Sequence, residues 1–248
     1  MIRILTDSAS DILPAEAEQL GVTVIPLNVT LEDGTVLRDG IDMTPSEYYT
    51  HLAACRKLPT TSQPSPEQFE RLYLDAVAAG DEVLGIFLSD ALSGTGQCAK
   101  LAADLANVDN VVFVNTENVC LGQSLLVRLA VQLRDAGKTI TQIAADLEKA
   151  KQHLHLVAAV DDLKYLRKGG RLSAEGYADV ARQLTERFGL TAAAITLRES
   201  VSASVNGWSG MLYADGKAYL STKYTINIVD RVGGGDSFGA GLIYSLLE

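Results

Sequence analysis

The sequence predicts an α/β fold, a mainly parallel sheet with helices on both faces. Three observations predict it. Short apolar runs, Val83–Leu88 and Val111–Val114, have the length and character of strands buried on both sides. Amphipathic or Ala-rich stretches of helical length stand between such runs, Thr95–Ala106 and Thr141–Lys151 among them. Helix starts are also spelled out, at Thr44-Pro45-Ser46-Glu47 and Ser65-Pro66-Glu67-Gln68. Each supplies a hydroxyl N-cap, a proline at the first helical position and a Glu or Gln to close a capping box. Strands that alternate with helices need crossover connections, and crossovers make a sheet parallel.

In chain order, Arg3–Thr6 reads as a strand, Pro14–Leu20 as a helix and Val22–Val29 as a second strand. Glu32-Asp33-Gly34-Thr35 is a turn. Helices follow from Thr44 and from Ser65 to about Ala79, then the strand Val83–Leu88 and the helix Thr95–Ala106. After the strand at Val111, Leu121–Ala136 is a helix that Gly137 ends; Thr141–Lys151 is another, and Leu156–Val160 a strand. Beyond Ser173 the expected elements are a helix over Gly176–Phe188 and a strand over Ala192–Leu197. Asp215-Gly216 is a hairpin turn between Gly210–Ala214 and Lys217–Thr222. Ile226–Val229 is a strand and Asp236–Leu247 a helix.

Bulk properties exclude several function classes. A formal net charge of −10 disfavours nucleic acid and anionic membrane as partners, because nothing offsets phosphate repulsion. No apolar run reaches the ~18 residues a bilayer span needs. The first residues read as a strand followed by a carboxylate, not as a signal peptide, so the expected location is cytoplasmic. Cys55, Cys98 and Cys120 form no CxxC pair, and His51, His153 and His155 form no HExxH. The expectation is small reduced thiols and no metal.

Three loops share one chemistry: Thr6-Asp7-Ser8, Thr60-Thr61-Ser62 and Ser89 to Thr95. Each follows a strand or opens a helix, and each offers small hydroxyls. Singly, such residues are ordinarily caps. Gathered at the carboxyl ends of parallel strands, hydroxyls and helix-start N–H groups suit a carboxylate or phosphate oxygen.

The order and spacing of four motifs resemble the DegV family of fatty-acid-binding proteins. They are Thr6-Asp7-Ser8, Pro59-Thr60-Thr61-Ser62-Gln63-Pro64, Leu92-Ser93-Gly94-Thr95 and the run Lys164 to Ser173. The resemblance covers residues 1–173. It implies a bound long-chain fatty acid, with Thr61 and Ser93 at the carboxylate, Ser62 and Thr95 beside them, and Arg171 near the head group. It implies no cofactor, and a separate fatty-acid kinase as partner, so that the protein binds and does not catalyse. The chain departs from the family at Gly96, where a tyrosine is usual, and at Asn115, where an aspartate is common. The family's second domain is not recognisable after Ser173.

Residues 174–248 carry a different resemblance. Asp230-Arg231-Val232-Gly233-Gly234-Gly235-Asp236 through Gly241 is similar to the C-terminal signature of ribokinase-like (pfkB) carbohydrate kinases of the 2-keto-3-deoxygluconate kinase type. Gly233, Gly234 and Gly235 form an anion nest in that resemblance, and Asp236 is its general base. ATP and Mg would be the cofactors. The tail spans only a fraction of such a kinase, and a base without a sugar pocket has nothing oriented to deprotonate. Three readings follow: a fatty-acid-binding lobe joined to a ribokinase-like α/β fragment with a hairpin, a phosphotransferase acting through Asp236, and a chimera without efficient function. The binding module is preferred, because its motif series is complete.

Overall fold

The computed structural model describes residues 1–160, 176–200 and 205–227. They fall into two compact units, one spanning Met1–Leu154 and one beginning at His155. The boundary read from the sequence, between 173 and 174, lies outside the described residues.

The first unit is built on a four-stranded sheet in the order β2-β1-β6-β7, with β1 Ile2–Asp7, β2 Val22–Ile25, β6 Glu82–Phe87 and β7 Val111–Asn115. All three pairings are parallel. Alternation along the strands divides the core in two. Ile4, Leu84, Ile86 and Val114 face one way and pack with Leu126, Val127, Ile143 and Leu147. Those residues come from α5 (Leu121–Asp135) and α6 (Ile140–Ala150), and Ala17 of α1 (Pro14–Leu20) joins them. Leu5, Val83 and Phe87 face the other way, onto Phe69 and Tyr73 of α3 (Pro66–Ala79) and Ala99 and Ala102 of α4 (Thr95–Leu105). A two-residue period on each strand and helices on both faces are one fact seen twice.

The expected helix starts hold. Pro45 opens α2 (Pro45–Ala54); the Glu47 N–H donates to Thr44 Oγ1 at 3.3 Å and the Thr44 N–H to Glu47 Oε2 at 2.8 Å. At α3, Gln68 Oε1 accepts the Ser65 N–H at 2.9 Å. The helix expected from Thr141 begins one residue sooner, because Thr139 caps it and accepts the Gln142 N–H.

Two expectations need correction. Val22–Val29 is not one strand: Pro26, which lacks an N–H to donate, separates β2 from β3 (Asn28–Thr30). Thr60–Ser62, read as a loop, is the strand β5, antiparallel to β3 in a small sheet of order β4-β3-β5, with β4 at Val36–Arg38.

In the second unit, β8 (Val157–Val160) runs parallel to β9 (Ala192–Ser200). β10 (Val205–Ala214) pairs antiparallel with β9, with β11 (Lys217–Leu220) and with β12 (Tyr224–Asn227). Helix α7 (Tyr177–Phe188) lays Val180, Ala181 and Leu184 on Ala193, Ile195 and Met211. The hairpin turn is as expected: Asp215 and Gly216 both have positive φ, 51° and 73°, which matches strand twist. The helix expected at Asp236–Leu247 lies outside the described residues.

Candidate functional site

Strand order reverses at β1. Its sequence neighbour β2 lies on one side and β6 on the other, so the loops leaving β1 and β6 diverge and open a crevice at their carboxyl ends. Two of the three hydroxyl loops singled out in the sequence meet there.

Asp7 holds this edge together. The residue is fully buried, and its carboxylate accepts the Ala9 N–H at 3.0 Å and the Leu88 N–H at 2.9 Å. Burial raises its pKa, and hydrogen bonds from Leu88, Gln123 and Ala9 partly offset the rise. Beside it, buried Gln123 of α5 donates to Thr6 Oγ1 at 3.0 Å. Ser8 accepts the Leu27 N–H at 3.1 Å and donates to Asp39 at 2.7 Å, tying β1 to the small sheet.

The loop after β6 is shaped by its own backbone. The Leu92 and Ser93 N–H groups both donate to Ser89 O, at 2.9 and 3.1 Å. The loop after β7 props it: the Ser89 N–H donates to Asn118 O at 2.9 Å and the Asp90 N–H to Asn115 Oδ1 at 3.2 Å. Lys151 steadies that prop, reaching Asn115 O at 3.2 Å and the Glu117 carboxylate at 2.9 Å. Asn115, where the resemblance leads one to expect an aspartate, serves as an acceptor for two loop N–H groups, Asp90 and Glu117.

Ser93 and Thr95 stand at the start of α4, whose N-cap is Gly94. Their hydroxyls are 2.9 Å apart, and Ser93 Oγ also accepts the Thr95 N–H at 3.3 Å. Thr95 is fully buried, whereas Ser93 is half-buried. Ser93 is therefore the reachable hydroxyl and Thr95 the one that orients it. Gly94 offers no capping side chain, and the first turn of α4 presents the positive end of a helix start beside Ser93.

Thr61 and Ser62 are exposed on β5, opposite Val29 and Asn28 of β3. The chain leaving β5 runs along α4. A Cβ on Gly94 would collide with Gln63 Oε1, and Cys98 Sγ approaches Pro64 O at 3.4 Å. The strand bearing Thr61 is thereby fastened to the helix start bearing Ser93. Arg171, Gly233, Gly234, Gly235 and Asp236 lie outside the described residues.

At Gly96 a Cβ would sit 2.7 Å from Asp90 Oδ1. The tyrosine that the resemblance leads one to expect would displace that carboxylate, which gives the departure a local reason. Gln123, Gln63 and Lys151 were not foreseen as site residues. Gln123 had a signal: Leu126, Val127 and Ala130 follow at helical spacing, so it lies on the buried stripe of α5. Among the described residues no cluster of three or more His, Cys, Asp or Glu could hold a metal. None of their helices is long and apolar enough to cross a membrane.

The chain is similar to proteins of one family. DegV domain-containing proteins of Deinococcus radiodurans and Listeria monocytogenes are 39% and 35% identical, over 171 and 173 residues. Each alignment covers 69% of this chain, and the chain spans 60% and 61% of those relatives' lengths. A Thermus thermophilus structure described as fatty acid binding of a DegV family protein superposes with a TM-score of 0.64 and 30% identity, over 90% of this chain and 71% of that one. Bacillus subtilis DegV, described as a fatty acid binding protein, superposes with a TM-score of 0.66 and 25% identity, over 99% of this chain and 76% of that one. The family model described as "Uncharacterised protein, DegV family" matches residues 1–176, and the chain belongs to that family.

Proposed function

We propose that this protein binds a long-chain fatty acid and holds its carboxylate between Ser93 and Thr61. One observation carries the reading. A strand with two exposed hydroxyls, Thr61 and Ser62, leads into Gln63 and Pro64, which lie against a helix start with a reachable hydroxyl at the crevice where strand order reverses. Hydroxyl donors and the positive end of a helix suit a carboxylate. The fatty acids bound by the Thermus and Bacillus relatives support the ligand class.

In this reading residues 1–173 form the lipid-binding lobe, Thr95 positions Ser93, Arg171 serves the head group, and 174–248 stand in for a second lobe. Binding needs no cofactor. A separate kinase that acts on the presented carboxylate is the proposed partner. The ATP- and Mg-dependent sugar-kinase reading of Gly233–Gly235 and Asp236 has its sequence string as sole support.

Native mass spectrometry of the purified protein, then of the denatured sample, tests the proposal. An added mass of a fatty acid, released on denaturation and lost in Thr61→Ala and Ser93→Ala, is expected. A compact, ligand-free protein that takes up no added fatty acid would overturn it. ATP turnover abolished by Asp236→Ala would instead favour the phosphotransferase.

A further inference from the structure

Gly94 does not need to be glycine for its backbone. Its φ and ψ are −78° and 7°, which any L-residue adopts. The space where a Cβ would stand is taken by Gln63 Oε1, with the side-chain amide carbon 3.4 Å away. Cys98 lies one turn on from Gly94, on the same face of α4. The backbone around Gln63 is fixed as well. Asn28 Nδ2 donates to Gln63 O at 3.3 Å, and Cys98 Sγ approaches Pro64 O at 3.4 Å.

We infer that Gln63, seated on Gly94, is a positioning residue that couples the Thr61 strand to the Ser93 helix start and so sets the distance between the two halves of the carboxylate site. This inference rests on the fatty-acid-binding reading. The physical argument is one of reach. Thr61 belongs to a three-residue edge strand that, among the described residues, pairs only with β3, and so short a pairing is marginal by itself. Gln63 is the polar side chain that crosses from that strand to α4, and only a residue without a Cβ lets it lie flat on the helix. The Ser93 and Thr61 hydroxyls must meet one carboxylate together, so a displacement of β5 by even an ångström costs affinity while leaving the fold intact.

A double-mutant cycle reads this coupling. Wild type, Gly94→Ala, Gln63→Ala and the double variant are compared for affinity toward oleate and for thermal midpoint. Gly94→Ala is expected to weaken oleate binding about tenfold when Gln63 is present and to have little further effect when residue 63 is alanine. All four proteins are expected to melt within a few degrees of one another, because α4 keeps its other contacts. A loss on Gly94→Ala that is the same with and without Gln63, or no loss at all, overturns the inference. If wild type itself binds no oleate, the functional reading fails. The coupling then stands or falls on amide exchange at Thr60–Ser62: Gly94→Ala must accelerate it only when Gln63 is present.

Discussion

Asp7 Oδ2 accepts the Leu88 N–H at 2.9 Å, across 81 residues of sequence. This one contact joins the carboxyl ends of the two strands between which the crevice opens. The second oxygen, Oδ1, takes the Ala9 N–H and starts the turn that carries Ser8 toward Asp39. Asp7→Ala leaves the buried Leu88 N–H and the half-buried Ala9 N–H without this acceptor. A loss of about 3 kcal/mol of unfolding free energy is expected in urea titration, and less for Asp7→Asn, which keeps one acceptor oxygen. Loss below about 0.5 kcal/mol for the alanine variant would remove Asp7 from this role.

The same residue has a pH signature. Burial raises its folded-state pKa above the unfolded value, so the native state binds the proton more tightly. Its contribution to stability is therefore fullest below the ordinary carboxylate range and is lost as pH rises through the folded-state pKa. The stability difference between wild type and Asp7→Asn should fall over that interval. A difference independent of pH would contradict the assignment.

Asp42 carries the opposite sign. Its carboxylate takes the Arg38 guanidinium at 2.9 and 2.7 Å and the Arg38 N–H at 2.8 Å, and these hold its pKa at about 2. The stabilisation is present above the unfolded value and is lost as pH falls through about 2. A carbon-detected NMR titration should show that midpoint, and Arg38→Gln should bring it back toward the ordinary range.

Tyr73 ties the two helices on one face of the sheet. It is fully buried, stacks on Phe69, and donates to Ala99 O of α4 at 3.1 Å. Tyr73→Phe keeps the packing and should cost about 1 kcal/mol. Tyr73→Ala should cost about 4 kcal/mol through the cavity it leaves. Equal losses for the two would mean that the hydroxyl, and not the ring, dominates.

Thr95 and Ser93 separate orientation from contact. Thr95→Ser keeps the hydroxyl that faces Ser93, and fatty-acid affinity should stay close to wild type. Thr95→Val removes it and should weaken binding about fivefold, by freeing the Ser93 rotamer. Isothermal titration with oleate distinguishes the two; identical behaviour would show that Thr95 does not orient Ser93.

Local chemistry made much of this protein legible in its sequence. The Thr44 capping box, the Asp215-Gly216 turn and the apolar run at Val83 depend on neighbours a few residues away, and each forms as its residues dictate. The hydroxyl loops were also visible, because Ser and Thr at strand ends and helix starts are unmistakable in α/β patterning. What the sequence alone did not decide is which loops meet, and how. Thr60–Ser62 is three polar residues with no period, and it becomes a strand only because β3 offers its edge. Gln123 reaches Thr6 from 117 residues away, and Gln63 finds room on α4 only because Gly94 has no side chain. Such contacts depend on the order of strands in the sheet and on volumes left empty. A chain displays those properties only after its distant segments have packed together.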